Sequence, residues 1–184
     1  MRVQKIDRGR EFDWGKTSAD YSAYRTEYPK SLFDALNGLG IGLPGQRLLD
    51  LGTGTGTLAR GLAERGAIVT GVDISPNQIG EAKKLAEGRN LKIKFSVGAA
   101  EDIEFADSSF DIVTAAQAWI YFDAPRAIPK ILRVLVKEGR LVLTLVSWLA
   151  DKDEIAGRME ELVLKYNPQW TGGGYKGDPP KYTR

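Results

Sequence analysis

From residue 47 onward the chain switches repeatedly between short apolar runs and helical spacing. Arg47–Leu51 (RLLDL) is an apolar run closed by glycines and predicts a strand; Thr57–Arg65 reads as a helix, and Ala67–Val72 as a second strand ending at Asp73. Ser75 followed by Pro76 is a helix start, with a side-chain cap and a proline in the first turn, and predicts a helix over Pro76–Glu87. Leu91–Val97 (LKIKFSV) alternates like a strand, and Asp111–Ala116, with its neighbour Phe110, predicts another. Pro125–Val136 is predicted helical, although Pro129 strains its early turns, and Arg140–Val146 (RLVLTLV) is a nearly continuous apolar strand. Strands alternating with helices at this spacing predict an α/β domain with a parallel sheet covered on both faces.

The flanks are less regular. A helix is predicted from Ser18 to Leu36, with Tyr21, Tyr24, Tyr28 and Phe33 at near-helical spacing and Pro29 as a breaking point. Those tyrosines are expected to pack against the sheet. Residues 37–46 (NGLGIGLPGQ) form a turn cluster, and Asp151–Tyr166 reads as a helix with Ile155, Met159, Leu162, Val163 and Tyr166 on one side. The expected organisation is one domain over 1–184: an arm (1–16), a cap helix region (17–46), the α/β core (47–148) and an irregular tail after a helix (149–184). Residues 140–146 are apolar on both faces and ask for a neighbour on each side. As the last strand of a sheet ordered 3-2-1-4-5 they would form an open edge. Either a second copy or a partner covers that edge, or the chain is a shortened form of a longer protein, which is the favoured expectation.

Composition narrows the chemistry. The 184 residues are 42% apolar and 27% charged, which suits a single globular domain. There is no Cys and no His, which removes disulfides, thiolate metal sites, the commonest zinc ligand and the usual neutral-pH base. The common hydrolase triads and most zinc enzymes are therefore excluded, and no metal is expected. Lys and Arg number 26 against 24 Asp and Glu, giving +2 with the signs mixed along the chain, so no basic patch invites nucleic acid. No segment approaches the roughly 20 apolar residues of a membrane span, and the opening MRVQKIDRGREFDW lacks the apolar core of a signal peptide, so a cytoplasmic protein is expected.

The densest chemical signal is RLLDLGTGTGTLARGLAERGAIVTGVD. Gly52, Gly54 and Gly56 lie between a strand and a helix, where backbone amides approach a ligand closely. Asp73 closes the following strand, where a carboxylate accepts hydrogen bonds from ribose hydroxyls. The pattern GxxxxGK[ST] of a P-loop is absent. Asp50, two residues before Gly52, opposes a pyrophosphate but suits an ammonium group; this favours S-adenosylmethionine (SAM) over a nicotinamide dinucleotide, the alternative being that Asp50 caps local amides. Glu101 and Asp102 follow the third strand, where an adenine edge would lie; either Glu101 faces the adenine amine with Ala100 packed on the base, or both acids are solvated loop charges. Gln117, Trp119, Tyr121 and Phe122 follow the fourth strand, where open α/β sheets carry their sites, and form either an apolar acceptor pocket or core packing.

Taken together, LLDLGTGTGTLARGLAERGAIVTGVDIS, GAAEDIEFADSSFDIVTAAQAW, LRVLVKEGRLVLTLVSW and the opening FDWGKTSADYSAYRTEYP resemble the class I SAM-dependent methyltransferases, specifically the small-molecule group similar to ubiquinone/menaquinone-biosynthesis C-methyltransferases. The resemblance runs from about Phe12 to Trp148. It implies a three-layer Rossmann-like fold of strand order 3-2-1-4-5, with the family's usual strands 6 and 7 absent from this chain. It also implies SAM as cofactor and a small-molecule methyl acceptor. Gly52, Thr53, Gly54 and Gly56 would hold the methionine part, Asp50 would lie near its ammonium, and Asp73 would bind the ribose. Ile74 would pack on adenine, Ala100 and Glu101 would border the base, and Gln117 would sit beside the methionyl end. Tyr21 and Arg25 would close the pocket, and Gln117, Tyr121 and Tyr21 are the candidates for catalytic contacts.

Two departures stand out. Many relatives carry His then Trp before Phe-Asp after the fourth strand, where this chain has Ile120 and Tyr121, and the Lys-Pro-Gly-Gly turn is here Lys137-Glu138-Gly139-Arg140. The Asn/Asp-Pro-Pro-Tyr/Phe motif of nucleic-acid amino methylation is replaced by Ala116-Gln117-Ala118-Trp119. Methyl transfer from a sulfonium is an in-line displacement that works by alignment and exclusion of water, so it suits a chain without His or Cys. A non-catalytic SAM-binding protein and an NAD-dependent oxidoreductase are the competing readings, the latter disfavoured by Asp50 and the tight GxGxG spacing.

Overall fold

The central strand β1 (Arg47–Leu51) is buried along all but its first residue, because its neighbours cover both edges and helices cover both faces. The structure, a computed structural model, describes residues 14–146 and 149–169; positions 1–13 of the expected arm and the tail from 170 lie outside the described residues. β2 (Ile68–Asp73), β3 (Lys94–Val97), β4 (Phe110–Ala116) and β5 (Leu135–Thr144) complete a parallel sheet of order β3-β2-β1-β4-β5. The helices are α1 (Ser18–Tyr24), α2 (Lys30–Gly38), α3 (Thr57–Ala63), α4 (Pro76–Glu87), α5 (Ala124–Val134) and α6 (Glu154–Tyr166). This is the Rossmann-like fold of class I methyltransferases, as expected.

Strand parity divides the core in two. Leu49, Leu51, Val72 and Val113 face Ala127, Ile131 and Val134 of α5. Leu48, Val69 and Ile112 face Phe33 and Leu36 of α2 and Leu58, Ala59 and Leu62 of α3. Because successive side chains alternate faces, Asp50 and Thr114 point the same way as Leu48 and Ile112. The parallel register sets Asp50 opposite Thr114 and Gly71, two residues short of Asp73. Polar groups thus continue an apolar face at the carboxyl ends of the central strands.

Several boundaries differ from expectation for local reasons. The helix expected over 18–36 is two helices, with Arg25–Pro29 extended between them, because the residue before a proline is pushed out of the helical region. α5 stops at Val134 and runs directly into β5, so Leu135 and Val136 are strand; β5 ends at Thr144 rather than Val146. β3 begins at Lys94, where pairing with Thr70 starts. β5 is the last strand of the sheet, as the order 3-2-1-4-5 requires, and beyond the buried Leu135 its residues are half-buried or exposed.

The chain divides into two compact units, residues up to Thr144 and residues from Leu145 onward. In the second, Asp153 rather than Asp151 opens α6, its Oδ1 accepting the Ala156 amide at 2.8 Å.

Gly61 lets α2 and α3 meet. A Cβ there would stand 2.1 Å from Phe33 Cζ, closer than any tolerable contact. Gly61→Ala is expected to destabilise the fold by about 1–3 kcal/mol, against alanine's helix preference of about 1 kcal/mol. Urea denaturation measures the loss, and Phe33→Leu in the same background should recover part of it.

Candidate cofactor site

The carboxyl ends of β1, β2 and β4 open into a cavity of about 710 Å³. Its floor is the turn after β1, where Gly52 and Gly54 take φ values of 65° and 58°. At Gly52 a Cβ would stand 2.4 Å from the Ala118 Cβ, so only glycine lets this turn lie against the segment after β4. At Gly54 an added Cβ would meet nothing nearer than Gln78 Oε1 at 3.9 Å, so the turn here borders open cavity.

Asp50 is 1% exposed. Thr53 Oγ1 donates to its Oδ2 and Thr114 Oγ1 to its Oδ1, each at 2.7 Å. Burial pushes its pKa up from 3.8 to about 6, the threonine hydroxyls opposing and the negative Asp73 adding to the rise. Among the described residues no cation pairs with this carboxylate. Asp73 is held by two backbone amides: Gly54 N–H donates to Oδ2 and Ser75 N–H to Oδ1, both at 2.9 Å. Burial raises its pKa while those two bonds oppose the rise. A carboxylate has about four acceptor sites, so each Asp73 oxygen keeps capacity for a ligand hydroxyl. Ser75 also caps α4, accepting from Gln78 N–H, and brings Pro76, Asn77 and Gln78 to the wall.

The opposite wall comes from β4 and the N-terminal segment. Gln117 sits at φ 57° at the strand end, an unfavourable conformation for a residue with a Cβ and one that clusters at functional sites, and its N–H donates to Thr144 O at 2.8 Å. Ile120, Tyr121 and Phe122 follow it into the lining. Tyr21, Arg25 and Tyr28 close the cavity from above, with the Arg25 guanidinium 5.6 Å from the Tyr21 ring centre. Burial, with the negative charge of Asp50, lifts Tyr28 to about 12, and burial also raises Tyr121, so both stay protonated at neutral pH.

Of the residues singled out from the sequence, Tyr21, Arg25, Asp50, Gly52, Thr53, Gly54, Asp73, Ile74, Gln117 and Tyr121 all line this one cavity. Gly56, Ala100 and Glu101 do not. Gly56 is the N-cap of α3, where a Cβ would press on Phe95 and Ala82 at 3.1 and 3.3 Å. Ala100 is core, and Glu101 Oε1 accepts the Asp123 amide at 2.7 Å at the entry to α5. Trp119 packs against the core, with its ring edge-on to Phe122 at 5.7 Å, so the core-packing reading holds for it. Several residues of the site were missed, Thr114 and Tyr28 among them. Thr114 reads as an ordinary strand residue until the β1–β4 register is known, and Tyr28 reads as sheet packing until the helix is seen to break before it.

A glycine turn, a buried carboxylate with no cation partner among the described residues and a second carboxylate at the next strand end thus line one cavity. In comparison with known proteins, the model of the methyltransferase domain family matches residues 49–143, from β1 to β5. The chain belongs to the class I SAM-dependent methyltransferase family, whose cofactor is S-adenosyl-L-methionine. It is 35% identical over 157 residues to an uncharacterized methyltransferase of Mycobacterium tuberculosis, covering 82% of this chain and 61% of that protein. It is 43% identical over 101 residues to the demethylmenaquinone methyltransferase of Thermus thermophilus, covering 53% of this chain and 46% of that protein. A solved structure from Methanococcus maripaludis superposes with a TM-score of 0.68 at 21% identity, over 88% of this chain and 75% of that one, and shows the shared fold. The chain thus spans about three fifths of the mycobacterial relative's length and under half of the Thermus one's. No helix among the described residues is long and apolar enough to cross a membrane.

Thr114→Val removes a donor from a fully buried carboxylate and is expected to cost about 1–3 kcal/mol when Asp50 is ionised. Since Asp50 titrates near 6, the cost should be larger at pH 8 than at pH 5. Urea midpoints at the two pH values measure the difference.

Proposed function

We propose that this chain binds SAM in the β1–β2–β4 cavity and transfers its methyl group to a small organic acceptor held against Tyr21, Tyr28, Ile120, Tyr121 and Phe122. The observation that carries the reading is Asp50: a buried carboxylate with no cation paired to it among the described residues, lining a cavity floored by the glycine turn. That arrangement repels a pyrophosphate and suits an ammonium group. The cofactor, when bound, supplies an electrophilic methyl on a sulfonium.

The chain's own residues then do the following. Gly52 and Gly54 admit the amino-acid end, and Asp50 answers its ammonium. Arg25, the cation in the lining, answers its carboxylate. Asp73 accepts from the ribose hydroxyls, and Ile74 beside it covers one face of the base. Gln117 offers its amide at the end of β4, between the cofactor floor and the aromatic wall. Tyr121 and Tyr28, their pKa values raised by burial, present neutral hydroxyls rather than phenolates to the acceptor. With no His or Cys in the chain, catalysis rests on alignment and exclusion of water, and the acceptor must bring its own nucleophilic atom.

Parallel calorimetric titrations with S-adenosylhomocysteine, SAM and NAD test the reading: the first two should bind and NAD should not. Binding of NAD alone would overturn it. Asp73→Ala should weaken S-adenosylhomocysteine binding by about 2–3 kcal/mol, and an unchanged affinity would remove the ribose role.

Affinity should also depend on pH in a defined direction. Between 3.8 and about 6 the folded protein keeps on Asp50 a proton that the unfolded chain has released, so that part of the stability is full below 3.8 and is lost as the pH rises through 6. A cationic ligand demands the ionised form and acts oppositely. S-adenosylhomocysteine affinity should therefore rise about tenfold between pH 5 and pH 7, with proton release on binding at the lower pH. Calorimetry in buffers of different ionisation heat reads the protons, and Asp50→Asn should flatten the profile.

A further inference from the structure

Arg60 lies inside α3 with its side chain only 2% exposed, a cation where the helix otherwise presents Leu58, Ala59 and Leu62 to the core. Its guanidinium reaches two parts of the chain. Nη1 donates to the Thr55 carbonyl of the glycine turn, and Nη2 donates to Glu27 Oε1 at 2.8 Å. Glu27 belongs to the extended strap Arg25–Pro29, which also carries Arg25 and Tyr28 in the cavity wall. Arg89 donates to the same Glu27 oxygen at 2.9 Å and to Glu64 at 3.0 Å, from the exposed side.

We infer that Arg60 and Glu27 form a latch that positions the strap over the cofactor and the glycine turn beneath it as one unit. The reason is the cost of the buried cation. Glu27 supplies its acidic partner, and a strap that lifts away leaves the guanidinium buried without a counter-charge. The same cation fixes the turn. With the Thr55 carbonyl aimed at Arg60, the planar trans peptide sends the Gly56 N–H the other way, where it donates to Thr53 O at 2.9 Å. Thr53 in turn donates its hydroxyl to Asp50. A chain of bonds therefore runs from the strap, through Arg60, to the carboxylate assigned to the cofactor's ammonium. Asn77 Nδ2 donating to Gly15 O at 3.2 Å and Ser22 Oγ donating to Glu81 at 3.4 Å fasten the N-terminal segment to α4, but neither touches the turn.

The test uses Glu27→Gln, which keeps the shape and removes the charge at a half-exposed position. Hydrogen exchange of the ligand-free protein reads the latch without reference to any cofactor. Amides at Thr53–Gly56 should exchange about tenfold faster in Glu27→Gln, while the amide of Leu49 in β1 stays unchanged and Arg89→Ala leaves the turn as in the parent protein. In an Arg60→Met background, Glu27→Gln should add nothing further; if Arg60→Met does not fold, the single Glu27 variant carries the test. Faster exchange confined to residues 21–29, or none, would overturn the latch, since a merely local role for Glu27 predicts that pattern.

A second arm rests on the proposed cofactor: the S-adenosylhomocysteine dissociation constant should rise about tenfold in Glu27→Gln. If the parent protein binds no S-adenosylhomocysteine but its turn still loosens in Glu27→Gln, the latch stands and the cofactor assignment falls. If the parent binds and Glu27→Gln changes neither affinity nor exchange, the latch falls and the cofactor assignment stands.

Discussion

The site depends on one charge taken out of water. Asp50 is buried at the end of the central strand, and a carboxylate in that position is tolerable only with donors on both oxygens. Thr53 supplies one from the turn that follows, and Thr114 supplies the other from the neighbouring strand. The second donor requires β1 and β4 to pair in parallel with Asp50 opposite Thr114; a slip of one residue would turn the hydroxyl to the other face. Sheet register, glycine turn and electrostatics are therefore one constraint. Two hydroxyls only partly offset the burial, and the negative Asp73 adds to it, so the pKa of the group stays raised, at about 6.

The second carboxylate follows a different logic. Asp73 accepts from two backbone amides, Gly54 and Ser75, and so ties the first glycine turn to the entry of α4. Its place on the same sheet face as Asp50 follows from strand parity and the β1–β2 register. The two acids sit on adjacent strands with an open cradle at Gly54 between their loops. The positive φ of Gln117 at the end of β4 marks the far side of the same crevice, where the chain leaves the sheet under strain.

Family membership rests on residues 49–143, the part of the chain that builds the sheet and the cofactor floor. The residues that would choose an acceptor lie in the segments least regular in sequence, the strap and the turn after β4. Their chemistry in this chain is aromatic and hydroxylic, without imidazole or thiol, and the phenols are held protonated by burial.

Sequence alone determined the order of strands and helices, the glycine turn, the cap at Ser75, and the placing of Asp50 and Asp73 at the ends of adjacent strands, because each is encoded within a few neighbouring residues by periodicity, turn chemistry or a strand end. It also placed about half of the cavity lining. The tertiary structure alone decided what depends on distant pairing. Thr114 became a partner of Asp50 only through inter-strand register, and Arg60 met Glu27 only because the strap crosses α3. Gly56, Ala100 and Glu101, legible as ligand neighbours by their spacing, were turned to packing and to the α5 entry. Periodicity reports which face a residue occupies, but it carries no information about which remote group stands opposite. Burial of a charge is settled at that second level, where a partner across the fold either exists or does not.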